Sequence, residues 1–439
     1  MLIFRGLERD GFVEKSQLTE SGLCKDRTSK SVSCRHLSSA GWLVGMVDAC
    51  QYLRSVKSLR LPLWLLLENF CRCKERGIVY TLGGPLDLSF SASLRLRRLH
   101  AEQSLYQLNL SAGERNDLAA LGRELARRFR SLEEPAFLEH ASALAQLLPL
   151  SLRLGLTKLK TSGTGPDVLI ISGMPFDEQK LGKTPSHWRH IHIQSSPTRQ
   201  EELVFALIAS FVGDLFSWAT EQNGHLINDI LPIEEHERQQ IGTGSLQEIE
   251  WHTEDSNFQV RPGYLALMCL RNPDRLPTTV ATAAAVEKLA DWQRELLREK
   301  RYRIGSDLAH TGAAESRHPR IYSPALEAQK IAVLSGEGAW PLLRIDRYFV
   351  ERARTDKLGR MALDALVERF DTDLWELVLE PGDVCLLDNY RVVHGRRSFA
   401  PRYDGTDRWL KRLRIARNQP NTPRANEKEG SPAAPRRRR

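Results

Sequence analysis

The sequence predicts an α+β protein whose core is a double-sheet jelly roll with flanking helices, and three observations lead there. Helical periodicity is concentrated between residues 111 and 221. From residue 226 onward the chain changes to short β-type runs punctuated by Gly and Pro. Only two helical stretches, about 283–299 and 357–370, interrupt those runs. A chain of 439 residues with 41% hydrophobic and 27% charged residues can build a sizeable core, which excludes disorder throughout.

The elements follow in order. Ser111-Ala-Gly-Glu114 has the spacing of a capping box and leads into Leu118, Leu121, Leu125 and Phe129 at helical intervals. A second helix is expected from about 134 to 148, ended by Pro149. Val168–Ser172 reads as a short buried strand closed by Gly173 and Pro175. After a loop rich in Pro, Lys and His, a helix is predicted over 198–221, presenting Leu203, Leu207, Phe211 and Phe216. Strands are then predicted at 226–231, 248–252, 264–270, 330–334 and 377–387. His187, His190 and His192 could in principle share a zinc ion, but with no nearby cysteine or acid they read as a solvated loop.

The two ends differ from the body. Five of the seven cysteines precede residue 75, in a stretch without sustained period. Residues 1–97 are therefore set apart as a divergent extension: either a small accessory region or an overlong gene model that does not fold. Residues 98–417 form the folded domain and 418–439 a disordered basic tail. The net charge of +8 belongs to these ends, because 1–97 carry +6 and 418–439 carry +4, leaving 8 − 6 − 4 = −2 for the body. Nucleic acid is not an expected partner. Without paired C-x-x-C spacing the cysteines suggest neither a disulfide framework nor a zinc finger, and a reducing cytoplasm fits them best. The longest apolar run, 61–67, is too short to span a membrane, and the first residues lack the pattern of a secretory signal. No membrane partner is expected; oligomeric state is open.

The chemistry is concentrated in two segments. In Trp251-His-Thr-Glu-Asp255, residues i and i+2 of a strand share a face, so His252 and Glu254 can reach one metal while Thr253 points away. A second imidazole would complete a two-His, one-carboxylate facial triad with open positions on Fe(II). Val392-Val-His394-Gly-Arg396 supplies it, after a Glu380-Pro-Gly-Asp383 turn and an apolar strand. An H-x-[DE] triplet alone is weak, and His100-Ala-Glu102 is such a decoy.

Residues 249–274 and 381–412, the latter containing H-G-R-x-x-F-x-P-R-Y-D-G-T-D-R-W, resemble the clavaminate synthase-like family of oxygenases, over about residues 104–415. That family includes hydroxylases of free arginine, asparagine and lysine in antibiotic and toxin pathways. The resemblance implies a cupin-like double-stranded β-helix and an Fe(II)- and 2-oxoglutarate-dependent dioxygenase that uses O₂. His252, Glu254 and His394 would hold iron. Arg408, 14 residues after His394, would grip the distal carboxylate of 2-oxoglutarate, helped by the hydroxyl of Thr278 or Thr279. Glu254 occupies the position that halogenating relatives leave to chloride, so hydroxylation is implied.

Gln222, Glu254, Asp346 and Arg412 are implied on the substrate side, with Arg412 facing the substrate carboxylate. Asp346 matches the first of two acids that hold a guanidinium in arginine-hydroxylating members; the second is Tyr348 here. The expected reaction is hydroxylation, at C3, of a free basic L-amino acid such as arginine in specialised metabolism. The alternatives are oxidative cyclisation or desaturation, and a catalytically silent jelly-roll binding protein.

Overall fold

The computed structural model describes residues 95–100, 104–161, 165–258, 260–305, 321–322, 330–336, 341–351 and 356–417. All of them fall in one compact unit, Pro85–Arg439. The expectations for residues 1–94 and for the tail lie outside the described residues. The proposed boundary at 97/98 falls inside a strand, β1 (Leu96–Arg98), which pairs antiparallel with β2 (Leu105–Asn109).

Helix α1 (Ala112–Arg128) starts as its capping box dictates: the Ser111 hydroxyl accepts from Glu114 N–H, and the Glu114 carboxylate accepts from Ser111 N–H at 2.7 Å. Its last turn carries Arg127 and Arg128, favourable at the negative end of the helix dipole. Helix α2 (Pro135–Leu144) ends earlier than expected, in a 3₁₀ turn. Pro149 does not end structure but opens α3 (Leu150–Lys160), since proline fits the first turn of a helix as well as it breaks an interior.

Helix α4 (Arg199–Val212) is buried over most of its circumference. The expected continuation to 221 does not form. A Cβ at Gly213 would lie 2.0 Å from the carbonyl oxygen of Ala416, so the chain there runs against another strand, and Asp214–Trp218 becomes strand β4. Phe216, expected on a helix, is a strand residue.

The remaining strands that shape the site are β5 (Ile227–Ile230), β6 (Ile249–His252), β7 (Tyr264–Arg271), β8 (Thr278–Thr282), β9 (Trp375–Leu377), β10 (Val384–Asp388), β11 (Val392–Arg396) and β12 (Trp409–Ala416). The expected 377–387 strand is thus two, split at the Glu380–Asp383 turn, where Glu380 N–H donates to the Asp383 carboxylate. The expected 330–334 strand is likewise two short pieces, Lys330–Ile331 and Leu334–Ser335.

The larger sheet runs β1-β2-β3-β10-β7-β12-β4, with β3 being Val168–Ser172, β5 also paired to β12, and the two-residue strand Ile321–Tyr322 parallel to β4 at the far end. The smaller runs β9-β8-β11-β6. Leu265, Leu267, Cys269, Cys385, Leu387 and Leu410 from the first meet Val280, Leu377 and Val392 from the second in one buried cluster. That is the double-sheet core the alternation predicts. The outer face of the smaller sheet is covered by α5 (Asp291–Arg298) and α6 (Lys357–Thr372), against Trp251, Ala281 and Val393. The outer face of the larger sheet meets α4 through Lys411, whose buried ammonium bonds Glu202 at 3.1 Å and Asp229 at 2.7 Å. No helix among the described residues is long and apolar enough to cross a membrane.

Candidate active site

A cavity of about 390 Å³ opens between the two sheets, and period-2 alternation decides what enters it. From β6 come Glu250 and His252, from β11 His394 and Arg396, and from β8 Thr278. Leu410, Arg412 and Arg414 arrive in alternation along β12, and Arg408 from the residue just before it.

His252 and His394 are direct cross-strand partners of β6 and β11, with ring centroids 4.2 Å apart. Gly395 makes this approach feasible, because a Cβ there would stand 2.4 Å from the Ile249 carbonyl oxygen. His252 Nδ1 bonds the carbonyl oxygen of Glu250 at 2.9 Å, which turns Nε2 toward the cavity. Glu254 Oε2 lies 3.4 Å from His394 Nε2 and 3.9 Å from His252 Nε2. One donor atom from each of the three lies within 4.8 Å of the others.

Glu254 reaches this position differently from expectation. β6 ends at His252, and Glu254 sits in the turn beyond it. Asn389, which sequence reasoning missed, brackets its backbone: Glu254 N–H donates to Asn389 Oδ1 at 2.7 Å, and Asn389 Nδ2 donates to the Glu254 carbonyl at 3.0 Å and to that of Pro262 at 2.8 Å. Burial would raise the Glu254 carboxyl, but the guanidinium groups of Arg412 and Arg414 outweigh it and hold it well below the usual carboxylate range. Burial and the neighbouring His252 push the His394 imidazole down to about 4, so it is neutral and able to ligate.

Arg408 is buried, and burial pushes its guanidinium down to about 10. Its one hydrogen bond runs from Nη2 to Thr278 Oγ1 at 2.8 Å; Nε has no acceptor, and no carboxylate pairs with it among the described residues. This cation lacks a counter-ion, and the chemistry that completes it is a carboxylate. Thr278 is therefore the threonine at this end; Thr279 is on the other face of β8 and does not line the cavity. Arg396, also missed, lies beside Arg408 and donates to the carbonyls of Gly244 and Gln247, pinning the loop before β6 over the cavity.

The substrate-side residues separate. Arg412 lines the cavity and pairs with Glu254 at 2.7 Å and with Glu221, leaving a buried Nε–H without an acceptor. Asp346 lines the cavity as well, and a backbone bridge joins it to His252. Burial pushes its carboxyl up against the pull of His252, and among the described residues only Oδ1 is used, by Tyr348 and Phe349 N–H. Tyr348 itself is 45% exposed and absent from the lining, so the phenol expected to replace a second acid does not face the site. Gln222 reaches the cavity wall, but its amide exchanges two 2.9 Å hydrogen bonds with the backbone of Asp229, which makes it a brace for β5.

The comparisons with known proteins agree with this geometry. Residues 189–414 match the family described as taurine catabolism dioxygenase TauD, TfdA family. Enduracididine beta-hydroxylase of Streptomyces hygroscopicus is 39% identical over 313 residues, covering 68% of this chain and 91% of that protein. L-ornithine/L-arginine 3-hydroxylase of Catenulispora acidiphila is 37% identical over 333 residues, covering 72% and 95%. The non-heme iron oxygenase OrfP, solved in complex with Fe and alpha-ketoglutaric acid, superimposes with a TM-score of 0.64 at 37% identity, covering 71% of this chain and 94% of that one. The paired sheets, the histidine–carboxylate cluster between them and these similarities have one reading: the chain belongs to the TauD/TfdA family of dioxygenases, within its clavaminate synthase-like group.

Proposed function

We propose that the protein is an Fe(II)- and 2-oxoglutarate-dependent dioxygenase that hydroxylates C3 of a free basic L-amino acid, arginine or a close relative, in cytoplasmic specialised metabolism of the antibiotic type. The observation that carries this is a single cavity holding two imidazoles and a carboxylate on one wall and, behind them, a buried guanidinium without a counter-ion. The donor set suits Fe(II), and the lone guanidinium suits the distal carboxylate of a keto acid bound to it. The relatives' action on ornithine, arginine and enduracididine supports the substrate class. Residues 98–417 are taken as the catalytic unit.

Each group then has a task. His252, His394 and Glu254 would hold iron, whose chemistry when bound is to couple decarboxylation of 2-oxoglutarate by O₂ to oxidation of a C–H bond, one oxygen atom going to succinate and the other to the hydroxylated amino acid, with release of CO₂. Arg408 and Thr278 fix the keto acid by a two-pronged grip. Arg412 would share its guanidinium between Glu221, Glu254 and the amino-acid carboxylate. Asp346 Oδ2 accepts from the cationic side chain and so sets which end of the substrate lies deepest. Leu265, Leu267 and Leu410 line the interior with hydrocarbon and keep water from the reacting bond.

Anaerobically purified protein loaded with Fe(II) and given 2-oxoglutarate, O₂ and single amino acids is the test. Succinate with a gain of 16 mass units on arginine, ornithine or a cyclic guanidino amino acid is expected. A loss of two units would replace hydroxylation by desaturation or ring closure. Absence of succinate with every amino acid would overturn the substrate class.

A further inference from the structure

The two oxygens of Glu254 have opposite surroundings. Oε2 faces the two imidazole Nε2 atoms. Oε1 is turned away and held by Arg412 Nη1 at 2.7 Å and Arg414 Nη2 at 2.9 Å. Of these arginines, Arg414 is the immobile one. It is 2% exposed, its Nε donates to Asp255 Oδ2 at 2.8 Å, its Nη1 donates to Asn228 Oδ1 at 2.7 Å, and its Nη2 also meets Glu221. Asp255 is fixed in turn by a 2.6 Å bond from Trp218 Nε1 and by a left-handed backbone, φ +53°, that bends the chain just past Glu254.

We propose that Arg414, locked by Glu221, Asp255 and Asn228, is a positioning residue that denies Oε1 to the metal and holds Glu254 as a one-oxygen ligand. The inference rests on the iron reading above. A facial triad leaves three of six octahedral positions open, two for a chelating keto acid and one for O₂. A carboxylate that closed on the metal through both oxygens would remove the last of them. Arg412 cannot prevent this throughout the reaction, because its carboxylate partners compete with the substrate carboxylate for the same guanidinium. When Arg412 turns to substrate, Arg414 remains on Oε1. The cluster also balances in charge: Glu221, Glu254 and Asp255 against Arg412 and Arg414 leave one net negative charge to meet the cation.

Nitric oxide, which takes the position of O₂ on Fe(II), reads this directly. Wild-type protein and Arg414→Lys, which keeps the charge and loses the fork, are loaded anaerobically with Fe(II) and 2-oxoglutarate and titrated with nitric oxide, the nitrosyl EPR signal being the readout. Circular dichroism reports the folded fraction. The expected result is that Arg414→Lys still takes up iron but binds nitric oxide about 10-fold more weakly or worse, the scale of losses at residues that orient metal ligands. Equal nitric oxide affinity in the folded fraction would overturn the proposal, since a merely structural arginine would lower the melting temperature and leave that affinity alone. If Arg414→Lys fails to fold, Glu221→Gln, which removes one of the acids locking Arg414, is expected to shift affinity in the same direction, and no shift there would overturn it equally. Failure of the wild type to bind Fe(II) would instead sink the iron reading itself.

Discussion

Arg408, just before β12, and Arg414, within it, stand six residues apart, both buried and both lining the same cavity, yet their surroundings are opposites. Arg414 is saturated with acceptors, three carboxylates and an amide, and its guanidinium is pushed further up by them. Arg408 has one threonine hydroxyl and an orphaned Nε–H, and burial pushes it down. A buried cation whose partners are supplied by the fold is a strut; one whose partner is missing is a receptor. On the proposed function, this difference supports Arg408 rather than Arg414 as the arginine that takes the keto acid.

The largest effect expected is on stability. Arg414→Met strips the cation from three carboxylates and should cost about 4 kcal/mol in urea unfolding of the metal-free protein. Arg408→Met should cost nothing or stabilise, because it removes an uncompensated charge; a comparable loss in both would erase the contrast. Next, Arg408→Met should raise the 2-oxoglutarate concentration needed for half-maximal succinate formation about 100-fold, the loss of two charge-assisted hydrogen bonds of about 1.5 kcal/mol each. If only the amino-acid requirement rose, Arg408 would be holding the wrong ligand.

His394 is a third buried ionisable group in the same cavity. Its folded value of about 4 lies below the 6.5 of a free imidazole, so its contribution is intact above pH 6.5 and is lost as pH falls toward 4. Metal-free protein should lose about 3 kcal/mol from this group over that window, and His394→Gln should flatten that part of the curve. Asn389→Ala leaves the Glu254 backbone groups unbonded and should cost about 2 kcal/mol, with weaker iron uptake in equilibrium dialysis. The smallest effect is expected from Tyr348→Phe: its ring is outside the cavity, so substrate preference should shift less than about twofold, within the usual range of surface changes. A larger shift would return Tyr348 to the site.

The sequence carried the strand alternation, the capping box and the donor set, since each is a local pattern. It carried less of what depends on approach between distant segments. Gly213 ended a helix that its periodicity continued, because strand β12 passes 2.0 Å from where its Cβ would be. Glu254 was expected from strand pleat, but a turn and the side chain of Asn389, 135 residues away, place it. Arg414 was accessible in principle: the alternation that puts Arg408 and Arg412 on one face puts Arg414 there too. Nothing local indicated that Thr278 rather than Thr279 faces inward, which β8 decides by its register with β11.

The backbone bridge between Asp346 and His252 ties two segments of the cavity wall together. Thr253 N–H donates to the Ile345 carbonyl and Arg347 N–H to that of Trp251, so the acid that would anchor the substrate's far end is registered residue by residue on the iron strand. On the proposed function this makes the pair a ruler of fixed length: the span from anchor to oxidant selects the carbon. A substrate longer by one methylene would present its neighbouring carbon, and moving the acid along its segment would recalibrate the enzyme without disturbing the oxidant.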